Sequence, residues 1–98
     1  MRVLYDAEGD ALYIPLISKR IRVERSEWVD ARRIVDLDAD GKPLGIEVLA
    51  ASRGKRLADL RDRFDLGLGD DEVNAIERHL FQPMQYAPPF EGARAPAE

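Results

Sequence analysis

The sequence predicts an α+β fold: an antiparallel four-stranded β-meander of two hairpins, followed by two amphipathic helices and an extended proline-rich tail. Apolar and polar residues alternate with a period of two in two parts of the first 50 residues, and the apolar period becomes nearly four after Ser52. Four of the six prolines lie beyond residue 82. We therefore expect a single α+β domain over residues 1–81, with the meander in 1–52 and a helical extension in 53–81, and a flexible tail over 82–98.

The first hairpin is predicted over residues 3–16. Two alternating apolar runs flank a polar turn, residues 6–10, that contains Gly9. Pro15 has no N–H group, so we expect it at an edge, a bulge or another position that donates no hydrogen bond to a neighbouring strand.

The second hairpin is predicted over residues 32–50, with Asp40 and Gly41 at its turn. Between the hairpins, Ile21 and Val23 alternate with charged residues and suggest a short extra strand, and Trp28 is expected to be a core residue. The two hairpins together predict one buried face, which consists of Val3, Tyr5, Leu12, Ile14, Val35, Leu37, Leu44, Ile46 and Val48.

The opposite face of the sheet is also unusually apolar, since it carries Leu4, Tyr13, Ile34 and Leu49. Exposed apolar surface of this extent favours a cover, which would be a helix or a second subunit. A homodimer is therefore the predicted assembly.

Two helices are expected after the sheet. Leu57, Leu60 and Phe64 follow a helical spacing, and Gly67 could end that helix. A second helix is predicted over residues 70–81, with Asp70 as its N-cap and Pro83 beyond its end. We expect His79 to interact favourably with the C-terminal end of this helix.

The composition excludes several kinds of chemistry. The chain has a formal net charge of −4, no cysteine and one histidine, His79, so a thiolate nucleophile or a cysteine-based zinc site is impossible. No nucleophile, base and orienting residue can be placed together, and a non-enzymatic protein is predicted. No apolar run approaches the length that spans a bilayer, so we expect no membrane association and a cytoplasmic protein.

Three segments carry a family resemblance: YDAEGDALYIPL at residues 5–16, IVDLDADG at 34–41 and LGIEVLAAS at 44–52. These motifs, in this order, resemble the prokaryotic domain of unknown function numbered 2283 over about the first half of the chain. The resemblance implies a small β-meander packed by a helix and no catalytic activity. Some members lie beside genes for small toxin-like proteins, which implies an antitoxin-like role as one option.

A calcium-binding loop is an alternative interpretation of residues 36–47. Asp36, Asp38, Asp40 and Glu47 occupy the ligand positions of an EF-hand loop, and Gly41 occupies its glycine position. However, the residues after Pro43 alternate as a strand does instead of starting a helix, and no second such loop exists in the chain. We favour the hairpin, and therefore predict no cofactor, while these four carboxylates remain the candidate site for calcium or another divalent cation.

Charged residues suggest two further alternatives. In a meander the first and third turns share one end of the sheet, which would bring residues 6–10 close to Asp38 and Asp40 as an acidic rim able to attract a cation. Basic residues in the connection between the hairpins and after the sheet could form a weak nucleic-acid-binding patch at the other end of the sheet. Nucleic acid is nevertheless a disfavoured partner. The basic residues are Lys19, Arg20, Arg22, Arg25, Arg32, Arg33, Arg53, Lys55 and Arg56. The leading expectation is a protein-interaction module with a protein partner.

Overall fold

The computed structural model describes residues 3–80, apart from the side chain of His79, and it confirms the α+β fold. Its one sheet is antiparallel and has five strands in the order β1-β2-β5-β4-β3. The strands are β1 (Leu4–Asp6), β2 (Ala11–Pro15), β3 (Arg25–Trp28), β4 (Arg33–Leu37) and β5 (Pro43–Leu49). One α-helix, α1 (Asp70–Leu80), follows two short 3₁₀ helices, Ala51–Arg53 and Ala58–Asp62.

Both predicted hairpins are present, but the four-stranded meander is wrong. The first hairpin pairs Tyr5 with Leu12, and the second pairs Val35 with Ile46 across a turn in which Gly41 has a φ of 83°. The extra strand is β3, which lies a few residues later than predicted and pairs with β4. Strand β5 inserts between β2 and β4, because the long connection after β2 lets the chain cross to the far edge before it returns.

This strand order places the two acidic turns at opposite ends of the sheet. Ala11 pairs with Leu49 at one end, whereas Leu37 pairs with Pro43 at the other. Residues 7–10 connect β1 to β2 at the first end, and residues 38–42 connect β4 to β5 at the second. The seven residues of β5 separate these ends by about 20 Å.

The predicted buried face forms the core. All nine residues predicted for it are buried, and the segment after the sheet packs against this face. We call this segment, residues 50–80, the covering layer. Its core side chains are Ala51, Leu57, Leu60, Leu66, Val73, Ile76 and Leu80.

The first predicted helix is replaced by the 3₁₀ helix Ala58–Asp62. Leu57 and Leu60 are the buried residues of this turn, and a spacing of three places them on one side of a 3₁₀ helix. Phe64 packs only partly against the core, and Gly67 lies five residues beyond this helix, so it does not cap it.

The second predicted helix is confirmed over Asp70–Leu80, whereas residue 81 and Pro83 lie outside the described residues. Asp70 is the first helical residue and not the N-cap. The carbonyl oxygen of Gly69 accepts the N–H of Val73 at 3.0 Å, and the carboxylate of Glu72 accepts the N–H of Gly69 at 3.0 Å. Gly69 is therefore the N-cap, with Glu72 reaching back to it as in a capping box. The predicted tail, residues 82–98, also lies outside the described residues.

A buried arginine joins the sheet to the covering layer. Arg33 has only 7% of its surface exposed, and its guanidinium donates to both carboxylate oxygens of Asp59 at 2.7 and 3.0 Å. It also donates to Asp30 and to the carbonyl oxygen of Arg56, each at 3.0 Å. Bidentate pairing of this kind fixes geometry as well as charge, so Arg33 sets the position of the second 3₁₀ helix on the sheet.

A buried glutamate organises the covering layer from within. Glu77 of α1 accepts the backbone N–H groups of Leu57 and Ala58 at 2.6 and 3.1 Å. These N–H groups begin the second 3₁₀ helix, where the backbone itself provides no acceptor. Glu77 therefore caps this helix from another element of the fold.

Candidate functional site

The face of the sheet opposite the core is covered by no helix or strand of residues 3–80, and we call it the open face. The strand register places one row of side chains across all five strands: Leu4, Tyr13, Glu47, Ile34 and Trp28. Asp36 and Ser26 lie in the next row, together with Gly45. The apolar character predicted for this face is confirmed, and carboxylates lie in its middle.

Tyr13 lies across Gly45 and reaches Asp36. Its hydroxyl donates to the carboxylate of Asp36 at 3.4 Å, and the hydroxyl of Ser26 donates to the other oxygen of Asp36 at 2.7 Å. Burial, together with the charge of Asp36, raises the pKa of Tyr13 to about 12, so the hydroxyl stays protonated and remains a donor at neutral pH. Asp36 therefore has a hydrogen-bond donor on each oxygen but no positive partner among the described residues.

Glu47 is the least compensated charge on the open face. Within residues 3–80 it has neither a hydrogen bond nor an ion pair, although its side chain is only partly exposed. Burial raises the pKa of Glu47, and the negative charge of Asp36 raises it further. A hollow of about 150 Å³ lies beside it and is lined by Leu4, Asp6, Ala11 and Tyr13. A positively charged group in this hollow would offset both unfavourable effects.

The four predicted cation ligands are divided between two places. Asp36 and Glu47 lie on the open face, whereas Asp38 accepts the backbone N–H groups of Asp40 and Lys42 and so shapes the turn. Within residues 3–80 no group of three or more histidine, cysteine, aspartate or glutamate side chains is arranged to hold a metal ion. Cation binding by these residues stays a prediction.

The predicted acidic rim is wrong. The first turn lies about 20 Å from Asp38 and Asp40, at the other end of the sheet. Its Asp10 accepts the hydroxyl of Tyr5 at 2.8 Å and both the N–H and the hydroxyl of Ser52, which ties the first hairpin to the covering layer. Asp10 is thus a structural acceptor, with its backbone at a positive φ of 51°.

The predicted basic cluster is also divided by the strand order. The connection between β2 and β3, which contains Lys19 and Arg20, enters β3 at the end of the sheet that holds the turn of residues 38–42. Arg32 lies at the opposite end and donates to the carbonyl oxygens of Leu49 and Ala50, and Arg33 is buried. No single surface gathers the basic residues predicted to bind nucleic acid.

The prediction that Trp28 is a core residue is wrong. It is 59% exposed, and within the described residues the other exposed large apolar side chains are Ile21 and Val23, at 42% and 43%. All three belong to β3 or to the segment just before it, along one edge of the sheet. This edge is a second apolar surface beside the open face.

Sequence reasoning missed the partnership of Tyr13, Gly45 and Asp36. A signal was present, because an isolated glycine within a strand pattern often marks close approach of another group. The pairing of β2 with β5, which places Tyr13 beside this glycine, could not be read from local alternation.

Replacing Gly45 with alanine should lower the free energy of unfolding by about 1–2 kcal/mol. A Cβ atom at this position would overlap the phenol group of Tyr13, which must then leave Asp36. Chemical denaturation would measure the loss. In a Tyr13→Ala background the same substitution should instead be neutral or slightly stabilising, because alanine is more favourable than glycine inside a strand. An equal loss in both backgrounds would show that Tyr13 is not the obstacle.

A family model described as a protein of unknown function, DUF2283, matches residues 2–52. The chain belongs to this family. The resemblance found in the sequence motifs is thereby confirmed. No curated protein and no solved structure matches the chain.

The DUF2283 match contains the whole sheet and every open-face residue described above, and it ends at the start of the covering layer. The segment that carries the family's sequence motifs therefore supplies the open face and one wall of the core. Among residues 3–80 no helix is long and apolar enough to cross a membrane.

Proposed function

We propose that this protein is a non-enzymatic interaction module whose open face binds a basic partner protein, with a lysine or arginine of the partner placed beside Glu47. The supporting observation is Glu47 itself, a partly buried carboxylate that has no positive partner within residues 3–80 and lies next to both Asp36 and a hollow. Such a charge costs stability in the isolated chain, and a cation supplied by a partner would remove that cost.

Apolar side chains around this charge supply the rest of the proposed contact. Leu4 and Tyr13, both partly exposed, lie in the same row as Glu47, and the exposed Trp28 ends the row at the sheet edge, whereas Ile34 between them is already buried. Apolar anchors around a desolvated charge pair are the usual composition of an interaction centre. A small toxin-like protein of basic character is the partner class that we propose, which makes this chain antitoxin-like.

The proposal predicts opposite effects of Glu47→Gln on stability and on binding. An acid whose pKa is raised in the folded state prefers its protonated form there, so ionised Glu47 lowers the stability of the isolated protein at neutral pH. The glutamine variant should therefore unfold at higher denaturant concentration at pH 7. This gain should disappear below the ordinary glutamate pKa of 4.5, where both states of the wild-type protein are protonated.

Binding should change in the opposite direction. We expect Glu47→Gln to weaken partner binding about tenfold or more, because the partner's cation loses its counter-charge. The measurement is calorimetric titration with the purified product of the neighbouring gene, after co-expression of the two chains. Asp62→Asn is the matched control, since Asp62 is an exposed carboxylate on the covering layer. Unchanged affinity for the Glu47 variant would refute the proposed contact.

The same calorimeter tests the cation alternative. Calcium, magnesium and manganese are titrated separately into the isolated protein. Heat that is abolished by Asp36→Asn together with Glu47→Gln would favour a cation site over a protein site, whereas absence of heat at millimolar metal would leave the protein partner.

A further inference from the structure

The edge strand β3 has a free side whose direction follows from its pairing with β4. The N–H of Val29 donates to the carbonyl oxygen of Arg33 at 2.8 Å. Because bonding alternates along an antiparallel pair, Glu27 also bonds toward β4, and just before β3 the N–H of Glu24 donates to the carbonyl oxygen of Leu37 at 2.8 Å. The backbone N–H and C=O groups of Ser26 and Trp28 therefore point away from β4, and no strand within residues 3–80 pairs with them.

We propose that β3 pairs antiparallel with β3 of a second copy of this chain, about a two-fold axis at Ser26. The pairing would join two five-stranded sheets into one. It goes beyond the proposed partner binding, because it uses the sheet edge and requires no other protein.

Charge complementarity selects this register. In an antiparallel pair, residues whose N–H and C=O groups point toward the partner strand must lie opposite each other. A two-fold axis near the middle of β3 can therefore pass through residue 25, 26 or 27. An axis at 25 sets two arginines opposite each other, and an axis at 27 sets two glutamates opposite each other. Only the axis at Ser26 places Arg25 of each copy opposite Glu27 of the other, so that both cross-strand pairs attract.

Apolar exposure supports the same edge. Val23, two residues before β3, is 43% exposed in the single chain. The other exposed large apolar side chains of the described residues are Ile21, which precedes the same strand, and Trp28, which ends it. The other sheet edge, β1, has three residues, and none of its described large apolar side chains is fully exposed. A four-residue strand pair is a small interface, so we expect a dimer that dissociates in the micromolar range.

Charge-reversal variants test the proposed pairing, and mixing two such variants should restore the association that each one loses. Arg25→Glu and Glu27→Arg should each weaken self-association about tenfold or more, because each creates two repulsive pairs in the homodimer. An equimolar mixture of the two variants should form a heterodimer, since every pair across the axis is then opposite in charge. Sedimentation velocity on the full-length chain, from low micromolar to about 100 µM, measures all three samples.

A cysteine variant tests the axis without changing charge. The chain has no cysteine, so Ser26→Cys introduces one thiol, and in the proposed dimer the two Cα atoms lie about 5.5 Å apart, within disulfide range. Mild oxidation should crosslink this variant much faster than Ser18→Cys, which carries an exposed thiol in the connection between β2 and β3.

Three results would overturn the proposal. A wild-type chain that stays monomeric at the highest concentration would mean that Arg25 and Glu27 protect the edge against pairing. Self-association that neither reversal weakens would place the interface elsewhere. Equal crosslinking rates for the two cysteine variants would contradict the axis at Ser26. This test does not depend on Glu27→Arg, which could fail to fold because it loses the ion pair of Glu27 with Arg63.

Discussion

Replacing Arg33 with methionine should lower the free energy of unfolding by roughly 3 kcal/mol. The substitution keeps most of the side-chain volume but leaves Asp30, Asp59 and the carbonyl oxygen of Arg56 without their shared donor. Removing one partner of a buried ion pair costs roughly 3–5 kcal/mol, and we expect the lower part of this range because Asp59 is 57% exposed. Urea denaturation followed by circular dichroism measures the loss.

Two comparisons identify the cause of the loss. Arg53→Met is the matched control, since Arg53 is exposed, and it should change stability by no more than about 0.5 kcal/mol. A double-mutant cycle with Asp59→Asn should give a coupling free energy of about 1–3 kcal/mol. Additive effects of the two substitutions would show that the ion pair does not link the sheet to the covering layer.

The effect of Arg33→Met should also depend on pH. The hydrogen bond from Arg33 holds the pKa of Asp59 below its ordinary value of 3.8. A lowered pKa in the folded state adds stability above the ordinary value, and this stability is lost as the pH falls through the folded pKa. The difference between the wild-type protein and the variant should therefore narrow as the pH falls below about 4.

Replacing Glu77 with alanine is expected to cost about 2 kcal/mol. The buried N–H of Leu57 and the N–H of Ala58 would lose their charged acceptor, and no backbone acceptor replaces it at the start of a helix. Denaturation curves measure the cost, and amide exchange at Leu57 and Ala58 should accelerate.

Asn74→Ala is the control for this substitution because Asn74 is an exposed residue of the same helix. It should change stability little, since alanine is a good helix former. Protection of the two amides in Glu77→Ala at wild-type levels would mean that another acceptor replaces Glu77.

Local sequence patterns were sufficient for the elements that depend on local rules. The alternation around Tyr5 and Leu12, the turn at Gly41 and the helical spacing of Val73, Ile76 and Leu80 each predicted an element that the structure contains. The core face was likewise predicted residue by residue, because the side-chain period of a strand determines which residues share a face.

Long-range pairing was not predictable in the same way. Nothing in the alternation of β2 distinguishes β5 from β4 as its neighbour. The predicted four-stranded meander therefore placed both acidic turns at the same end of the sheet, whereas they lie at opposite ends. Trp28 was misjudged for a related reason, since its exposure results from the position of β3 at the sheet edge.

The burial of two charged residues of the described part of the chain, Arg33 and Glu77, was predictable in principle. Arg33 occupies the same face of β4 as Val35 and Leu37, and Glu77 is four residues after Val73 on the apolar side of α1. A charged residue at a core position indicates a buried ionic or capping contact. Apart from Asp30, which is three residues before Arg33, their partners lie about 20 or more residues away along the chain, where spacing gives no guidance.

The hydrogen bonds between Asp10 and Ser52 lie where the family's shared sequence stops. The boundary of the shared sequence and the boundary of the folded unit differ in this chain. The shared sequence ends at residue 52, whereas the folded unit continues, because the side chains on the inner side of the sheet are enclosed only by the residues that follow. In this chain the covering layer, most of which lies beyond the family match, supplies the second wall of the core, so an excised copy of residues 2–52 would leave the inner face of the sheet exposed to water.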